Sequence, residues 1–387
     1  MTANGNGSNP IETPALDRQA LGQIVLVLQG GGALGAYQAG VYQALHETGI
    51  EPDWVIGTSI GAINASIIAG NPPGRRLERL REFWGLVRHS SIAQFAGAVP
   101  LFGSLFAQSI TASAGVRGFF EPNPLAFVGQ QIPLGPEQAG YYTVRPLERT
   151  LSKLTDASLL NAGSPRLAVG AANVRTGEMK YFDSRDTTLS LKHILASGAL
   201  PPAFPAVRID DELYWDGGIL SNTPVEAVFD DNPRRSGLVF AVHMWAPNGP
   251  EPDSMGAVMA RQKDLLYASR AKSHIARQKQ IHKLRHIISE LVTKLPPEER
   301  MSNTTRELAS YGCVTTMHVV RLKAPNLAGE DHAKDIDFSP GGIKFRWEAG
   351  YRDTLRVLKA RPWTKEFDPL EGFILHEAEA GQMMFEG

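Results

Sequence analysis

Hydrophobic positions are densest in residues 24–66, where two short apolar runs each end in a glycine-rich turn. The first run, residues 24–28, has no polar alternation, which is typical of a strand covered on both faces. A helical pattern over residues 33–47 follows and ends at Gly49, a common helix stop. The second apolar run, residues 54–56, leads into another glycine turn. This order predicts a βαβ unit.

The rest of the chain continues the alternation of strands and helices. It predicts a three-layer α/β/α sandwich around a mostly parallel central sheet. Further strands are predicted at residues 166–174, 238–244 and 314–322, and further helices at residues 189–198, 255–295 and 344–360.

The second glycine turn has the pattern G-x-S-x-G at residues 57–61. A strand that turns sharply into a helix would project the hydroxyl of Ser59 above the sheet, and Gly57 and Gly61 would remove side chains that collide there. The helix N-terminus beside Ser59 favours developing negative charge. The turn predicts a nucleophile elbow, although small-residue turns of this kind also occur without function.

The first glycine turn has two interpretations. Gly30, Gly32 and Gly35 match the dinucleotide fingerprint G-x-G-x-x-G, but that motif needs an acidic residue near the end of the second strand, and none occurs there. Consecutive glycines can instead point bare N–H groups at an oxyanion beside Ser59. The sequence favours the second interpretation.

A third motif follows far downstream, in residues 196–205 and 214–224, which contain D-G-G and then N-x-P. Together the three ordered motifs, over roughly residues 24–230, resemble the patatin-like phospholipase family. The resemblance implies a Ser59–Asp216 dyad and an oxyanion hole, and it adds the supporting motif residues. The oxyanion hole would be formed by Gly30, Gly31 and Gly32, and the supporting residues would be Gly57, Gly61, Gly217, Gly218 and Asn222.

That resemblance implies a lipid acyl hydrolase of the phospholipase A or carboxylesterase type, acting on a lipid or acyl-ester substrate through an acyl-enzyme without cofactor or metal. Leu34 stands where many family members carry Arg or Lys, so a cationic contribution to the oxyanion hole is not expected. Asn222 either braces its loop through the amide or caps the next helix.

Two other functions stay open. A Ser-Asp-His hydrolase would need a histidine after Asp216, and His243 satisfies that order. The elbow here follows only the second strand, which is early for that fold. The other alternative is a non-catalytic scaffold associated with membranes, against which the presence of both Ser59 and Asp216 argues.

The sequence predicts four regions along the chain. Residues 1–23 are polar and read as a flexible tail, and residues 24–230 form the catalytic domain. Within it, residues 71–135 form a cap or lid, whose phenylalanines would line an acyl groove or fill a cap core. Residues 231–387 form a C-terminal extension with a long basic helix at 255–295. The phenylalanines of the cap are Phe95, Phe102, Phe106, Phe119, Phe120 and Phe127.

A net charge of −1 argues against a general nucleic-acid binder. The helix at 255–295 is strongly basic, so it would either lie on anionic lipid headgroups or pack an apolar stripe on the catalytic domain. The single cysteine, Cys313, and the lack of a signal peptide predict a cytoplasmic protein, with contact at the inner membrane face as the peripheral alternative. Oligomeric state is left open. The apolar stripe of the helix at 255–295 consists of Ile281, Leu284, Ile288, Leu291 and Leu295.

One pair of histidines, His282 and His286, has the one-turn spacing of helical metal ligands. No cysteine or carboxylate adjoins the pair in the sequence, so no metal site is predicted.

Overall fold

The computed structural model describes residues 18–88, 115–127, 132–326, 332–368 and 370–377. Within these ranges nine strands form one sheet, in the order β11-β10-β9-β1-β2-β5-β8-β7, with β6 also paired to β5. The two remaining strands, β3 and β4, form a short antiparallel ribbon. The strands are β1 (Gln23–Leu28), β2 (Trp54–Thr58), β3 (Glu121–Pro122), β4 (Tyr142–Thr143), β5 (Arg166–Asn173), β6 (Met179–Asp183), β7 (Val207–Ile209), β8 (Glu212–Asp216), β9 (Gly237–His243), β10 (Met317–Lys323) and β11 (Phe373–Glu377).

The sheet is parallel from β11 to β5 and becomes antiparallel at β6, β7 and β8. The apolar runs predicted as buried strands lie in its centre, where β1 is hydrogen-bonded to both β2 and β9. Strands covered on both faces need apolar residues without alternation, and β1 has them. The predicted α/β fold with a mostly parallel sheet is confirmed.

Helices cover both faces of the sheet. Successive residues of β1 point to opposite sides: Leu26 belongs to the apolar cluster that includes residues of α2, α3, α4 and α12, whereas Val27 belongs to the cluster that includes residues of α8 and α9. These contacts produce the three layers. The helices are α1 (Arg18–Leu21), α2 (Ala36–Glu47), α3 (Ile60–Ala69), α4 (Pro73–Val87), α5 (Arg145–Leu154), α6 (Ala157–Leu160), α7 (Leu191–Ser197), α8 (Glu226–Phe229), α9 (Met255–Lys294), α10 (Pro297–Arg300), α11 (Asn303–Ala309) and α12 (Pro340–Ala360).

The packing predicted for the apolar stripe of α9 is wrong for two of its five residues, whereas Ile281, Ile288 and Leu295 are half-buried. Leu284 and Leu291 are 58% and 57% exposed, whereas Gln278, His282 and His286 are buried on the other side of the helix. Helical periodicity identifies which residues share a face of the helix, but it does not determine which face packs against the sheet. The buried face of α9 carries Ala268 and Ile275 as well as these polar residues, and its two imidazoles hydrogen-bond to the backbone of the segment before β10.

Several predictions fall partly outside the described residues. Residues 1–17 of the predicted tail and Phe95, Phe102 and Phe106 of the cap lie there, as does the side chain of Phe127.

The region after residue 230 supplies three strands of the same sheet, β9, β10 and β11.

Helix α12 of the C-terminal region packs closely on α2 through two glycines. A Cβ at Gly350 would lie 2.0 Å from the Tyr37 carbonyl oxygen, and one at Gly40 would lie 1.9 Å from the Trp347 carbonyl oxygen. Each backbone therefore occupies the space that a side chain on the other would need.

We expect Gly350→Ala to lower the free energy of unfolding by about 2 kcal/mol or more, because backbone must move to admit the methyl group. Gly341→Ala is the matched control, since Gly341 lies in the same helix with nothing within 4 Å of its Cβ position. That change should be neutral or stabilising by up to about 1 kcal/mol. Urea unfolding measures both, and equal stabilities for the two variants would show that this close approach is unimportant.

Candidate active site

Ser59 lies at the turn between β2 and α3, in a backbone conformation that residues other than glycine rarely adopt. Its φ is 57° and its ψ is −126°. The flanking glycines make this turn possible: a Cβ at Gly57 would lie 2.3 Å from the Gly61 backbone, and one at Gly61 would lie 2.1 Å from the Leu28 carbonyl oxygen. The motif therefore folds as a sharp strand-to-helix elbow with Ser59 at its tip.

A serine from the third motif holds this elbow in place. The Ser59 N–H donates to both the carbonyl and the Oγ of Ser197, each at 3.1 Å, and the Ser197 hydroxyl donates to the Gly170 carbonyl at 2.6 Å. Ser197 is completely buried at the end of α7. Ser197 lies within the third motif, residues 196–205, but nothing in that motif indicates its role in the elbow.

Asp216 ends β8 and faces Ser59. It is 1% exposed, and its Oδ1 accepts a hydrogen bond from the Gly218 N–H at 2.7 Å. Burial raises the pKa of this carboxyl to about 7, although hydrogen bonds from the Ser59 side chain and the Gly218 N–H oppose the rise. The structure thus brings the serine and the carboxylate together in a desolvated position.

The triple glycine lies beside the elbow: a Cβ at Gly30 would lie 3.1 Å from the Ser59 Cβ. The Gly30 N–H donates to the Asn222 carbonyl at 3.1 Å, so in this conformation it is already engaged. No hydrogen bond from the N–H of Gly31 or Gly32 to another described residue is found. The candidate oxyanion donors therefore narrow to Gly31 and Gly32.

Asn222 and Trp245 fix the position of the glycine turn. The Asn222 Nδ2 donates to the Gly30 carbonyl at 3.1 Å, and the Trp245 Nε1 donates to the same oxygen at 2.8 Å. Helix α8, which follows, has Val225 and not Asn222 as its capping residue. Asn222 therefore braces the glycine turn instead of capping a helix, and Trp245 adds a second contact that no motif in the sequence indicates.

Ser59 and Asp216 open into a cavity of about 290 Å³. Away from these two residues, its wall is almost entirely apolar and aromatic. Phe119 and Phe120, two of the predicted cap phenylalanines, belong to that wall. The apolar wall residues include Ile60, Ile63, Phe119, Phe120, Val144, Leu147, Leu195, Leu200, Phe204, Ile336 and Phe338.

The C-terminal region also contributes to this cavity, through Tyr267 and the segment from Asp335 to Phe338. A Cβ at Gly32 would lie 2.1 Å from the Asp335 carbonyl oxygen. Two ion pairs fasten this segment to α9: Lys263 to Asp335 at 2.8 Å and Lys334 to Asp264 at 2.8 Å. No local signal in the sequence indicated this contribution, because residues distant in the chain meet only in the fold.

Tyr267 lies near the carboxylate. Its ring packs on Trp245 with 4.8 Å between ring centroids. Burial, together with the charges of Asp216 and Asp335, raises the pKa of Tyr267. The phenol therefore keeps its proton near neutral pH, and Tyr267 lines the cavity.

His243 lies apart from this constellation. It is buried in β9, is not among the residues that line the cavity, and its Nε2 has no hydrogen-bond partner in the described part of the chain. Burial and the positive charges of Arg321 and Lys323 lower the pKa of His243 to about 3. Asp216 interacts with Ser59 and Gly218 and with no histidine that the structure describes.

Leu34, the departure from the family pattern, is 4% exposed and packs in the core beside the glycine turn. A cation at this position would be buried among apolar residues. The glycine turn here thus has only backbone donors from its own residues.

The predicted histidine pair has a neighbour that the sequence did not show. His282, His286 and Cys313 are all buried, and their ligand atoms lie within 4.8 Å of one another. Burial raises the pKa of the Cys313 thiol, but hydrogen bonds from His282 and Thr315 outweigh that effect and lower it to about 6. This cluster is separate from the cavity at Ser59.

The fold and the site define an α/β protein in which a serine elbow faces a buried carboxylate. A family model described as patatin-like phospholipase matches residues 26–229, more than half of the chain, and a second, described as patatin phospholipase, matches residues 265–370. The chain belongs to the patatin-like phospholipase family.

Two curated proteins and one solved structure illustrate the similarity. An uncharacterized NTE family protein of Mycobacterium bovis is 28% identical over 56% of this chain and 30% of its own length. Lysophospholipase nte1 of Aspergillus niger is 24% identical over 64% of this chain. The chain spans only 15% of that fungal protein. The crystal structure of VipD from Legionella pneumophila is 18% identical, with a TM-score of 0.39, over 87% of this chain and 67% of that one.

Among the described residues, no helix combines the length and apolarity needed to cross a membrane. Part of the positive charge on α9 is used within the protein. Lys279 pairs with Glu371 at 3.5 Å, Lys263 pairs with Asp335, and Arg261 donates to the carbonyls of Ala246 and Pro247. Contact between α9 and an anionic membrane stays a prediction.

Proposed function

We propose that this protein hydrolyses acyl esters of lipids, with Ser59 as the nucleophile and Asp216 as its general base. The observation that carries the proposal is the contact between the Ser59 side chain and a fully buried Asp216 carboxyl, both of which line a mostly apolar cavity. Burial makes this carboxyl a better base than an ordinary aspartate, because it raises its pKa towards the working pH.

In the proposed reaction Asp216 accepts the hydroxyl proton while the Ser59 oxygen attacks the ester carbonyl. The N–H groups of Gly31 and Gly32 would hold the oxygen of the tetrahedral intermediate, aided by the N-terminus of α3. The alcohol leaves with the proton, and water then cleaves the acyl-enzyme at Ser59 by the same route. No histidine is needed in these steps.

The cavity favours a substrate with a fatty acyl chain. Its apolar and aromatic wall would take an alkyl chain out of water, which contributes about 0.8 kcal/mol for each CH₂ group buried. Ser59 and Asp216, the groups proposed to act on the ester, line the same cavity. Lysophospholipids and phospholipids combine such a chain with an ester at one end, and the fungal relative is named a lysophospholipase.

We expect the purified protein to release fatty acid from a lysophospholipid, and Ser59→Ala to reduce kcat by at least about 10³-fold, because the variant has no nucleophile. Ser152→Ala, a change in an exposed hydroxyl on α5, is the matched control and should retain full activity. Fatty-acid release under initial-rate conditions measures both. Equal activity of the Ser59→Ala variant and the control would contradict the assignment of Ser59.

A further inference from the structure

A second group of reactive side chains lies near the N-terminal ends of the parallel strands, whereas Ser59 lies at their C-terminal ends. Ser59 follows the C-terminal end of β2, whereas Cys313 and Thr315 precede the N-terminal end of β10, which runs parallel to the central strands. His282 and His286 of α9 contact the Thr315 backbone at this end of the sheet. The proposed hydrolysis makes no use of any of these residues.

The ligand-type atoms converge on a small volume. His282 and His286 are four residues apart on one helix, so their imidazoles lie on the same face one turn apart. Their Nε2 atoms lie 2.9 and 2.8 Å from the Thr315 carbonyl oxygen. The Cys313 Sγ lies 2.7 Å from the Thr315 Oγ1. Gly372 adjoins the group, because a Cβ there would lie 2.0 Å from the His286 Nε2.

We propose that His282, His286 and Cys313 bind a zinc ion, with the Thr315 carbonyl oxygen as the nearest fourth donor. One ring nitrogen of each histidine and the Cys313 Sγ lie within 4.8 Å of one another. In a tetrahedral zinc site with bonds of about 2.0–2.3 Å, ligand atoms are separated by roughly 3.3–3.8 Å. Shifts of about 1 Å or less would therefore complete the site, and side-chain rotations supply shifts of that size.

The chemistry of the group selects the kind of metal. Two imidazoles and a thiolate suit zinc and other borderline transition metals, whereas magnesium and calcium require oxygen ligands. No carboxylate belongs to the cluster found among the described residues. All three side chains are at most 9% exposed, which removes competition from bulk water. On binding, the thiol proton would be released to solvent, and each imidazole would shift its single proton from Nε2 to Nδ1 and so remain neutral.

Such an ion would join the second half of α9 to the segment that enters β10. A ligand that binds only the folded chain stabilises it in proportion to the logarithm of its concentration above the Kd. The role of this site is therefore structural, and it is independent of hydrolysis at Ser59.

The test uses the full chain, stripped of metal with a chelator and titrated with Zn²⁺ against a chromophoric competitor. We expect one equivalent to bind with a Kd of roughly 1 μM or below and to raise Tm. Titration with Co²⁺ should produce the near-ultraviolet charge-transfer band of a cobalt–thiolate bond.

Cys313→Ser keeps a hydroxyl beside Thr315, so it should fold normally, lose the cobalt–thiolate band and bind Zn²⁺ on the order of 100-fold more weakly. His286→Ala should weaken Zn²⁺ binding similarly. His274→Ala, on the same helix but paired with Glu226 outside the cluster, is the matched control and should bind like the parent chain. Absence of stoichiometric binding, or binding unchanged in both Cys313→Ser and His286→Ala, would overturn the proposal. Ser59→Ala should bind the ion normally, which separates this proposal from that of the hydrolase.

Discussion

Asp216→Asn is expected to lower kcat/KM for a soluble acyl ester by about 10⁴-fold, whereas His243→Ala should lower it by less than about tenfold. The asparagine keeps the shape of the side chain and can still accept the Gly218 N–H, but it cannot take a proton from Ser59. His243 lies in the interior of β9, does not line the cavity and has a pKa lowered to about 3. Its loss should therefore act only through packing.

The comparison separates the two hydrolase interpretations of the sequence. In a Ser-Asp-His triad the imidazole takes the proton and the carboxylate orients it, so removal of the histidine is as damaging as removal of the nucleophile. Melting curves should accompany the kinetics, because both positions are buried. If His243→Ala stayed folded and lost as much activity as Asp216→Asn, the dyad would be wrong and a triad would replace it.

The second large effect is expected in the pH dependence of the reaction. Burial raises the pKa of Asp216 to about 7, so the carboxylate that accepts the proton is depleted below neutral pH. The kcat/KM should therefore fall about tenfold for each pH unit below 7 and become constant above it. His243 cannot produce this limb, because its own pKa is lowered far below neutrality.

The same ionisation should appear in stability, with a definite sign. A carboxyl whose pKa is about 7 in the folded chain and about 4 in the unfolded chain binds its proton more tightly when folded. Its stabilising contribution is complete below pH 4 and is lost as the pH rises through 7. Asp216→Asn removes this dependence, so the variant should gain stability relative to the parent as the pH rises from 4 to 7. Parallel unfolding free energies for the two proteins across that range would show that Asp216 is not desolvated.

The parts of the site that could be predicted from the sequence are those that depend on local backbone geometry. The elbow at Ser59 requires glycines at positions 57 and 61 because backbone occupies the space of their side chains. Such requirements leave a signature within a few residues. The strand β1 and the turn after it can be predicted for the same reason, since an unbroken apolar run and consecutive glycines are both local patterns in the sequence.

The parts that could not be predicted depend on contacts between distant segments. Tyr267 and Phe338 enter the cavity wall only because α9 and the segment before α12 fold back over the glycine turn. The Gly30 N–H is engaged because Asn222 lies opposite to it, which no spacing in the sequence reveals. Likewise, Cys313 joins His282 only in the folded chain.

The central claim is that Ser59 carries the acyl group, and covalent labelling tests it most directly. The protein is treated with a fluorophosphonate probe at pH 8, digested, and analysed by mass spectrometry. The proposed mechanism predicts stoichiometric labelling of the peptide that contains Ser59, loss of labelling in Ser59→Ala, and labelling at least about 100-fold slower in Asp216→Asn, because the hydroxyl then lacks its base. Labelling at a different residue, or labelling of Ser59 that proceeds at the same rate without Asp216, would contradict it.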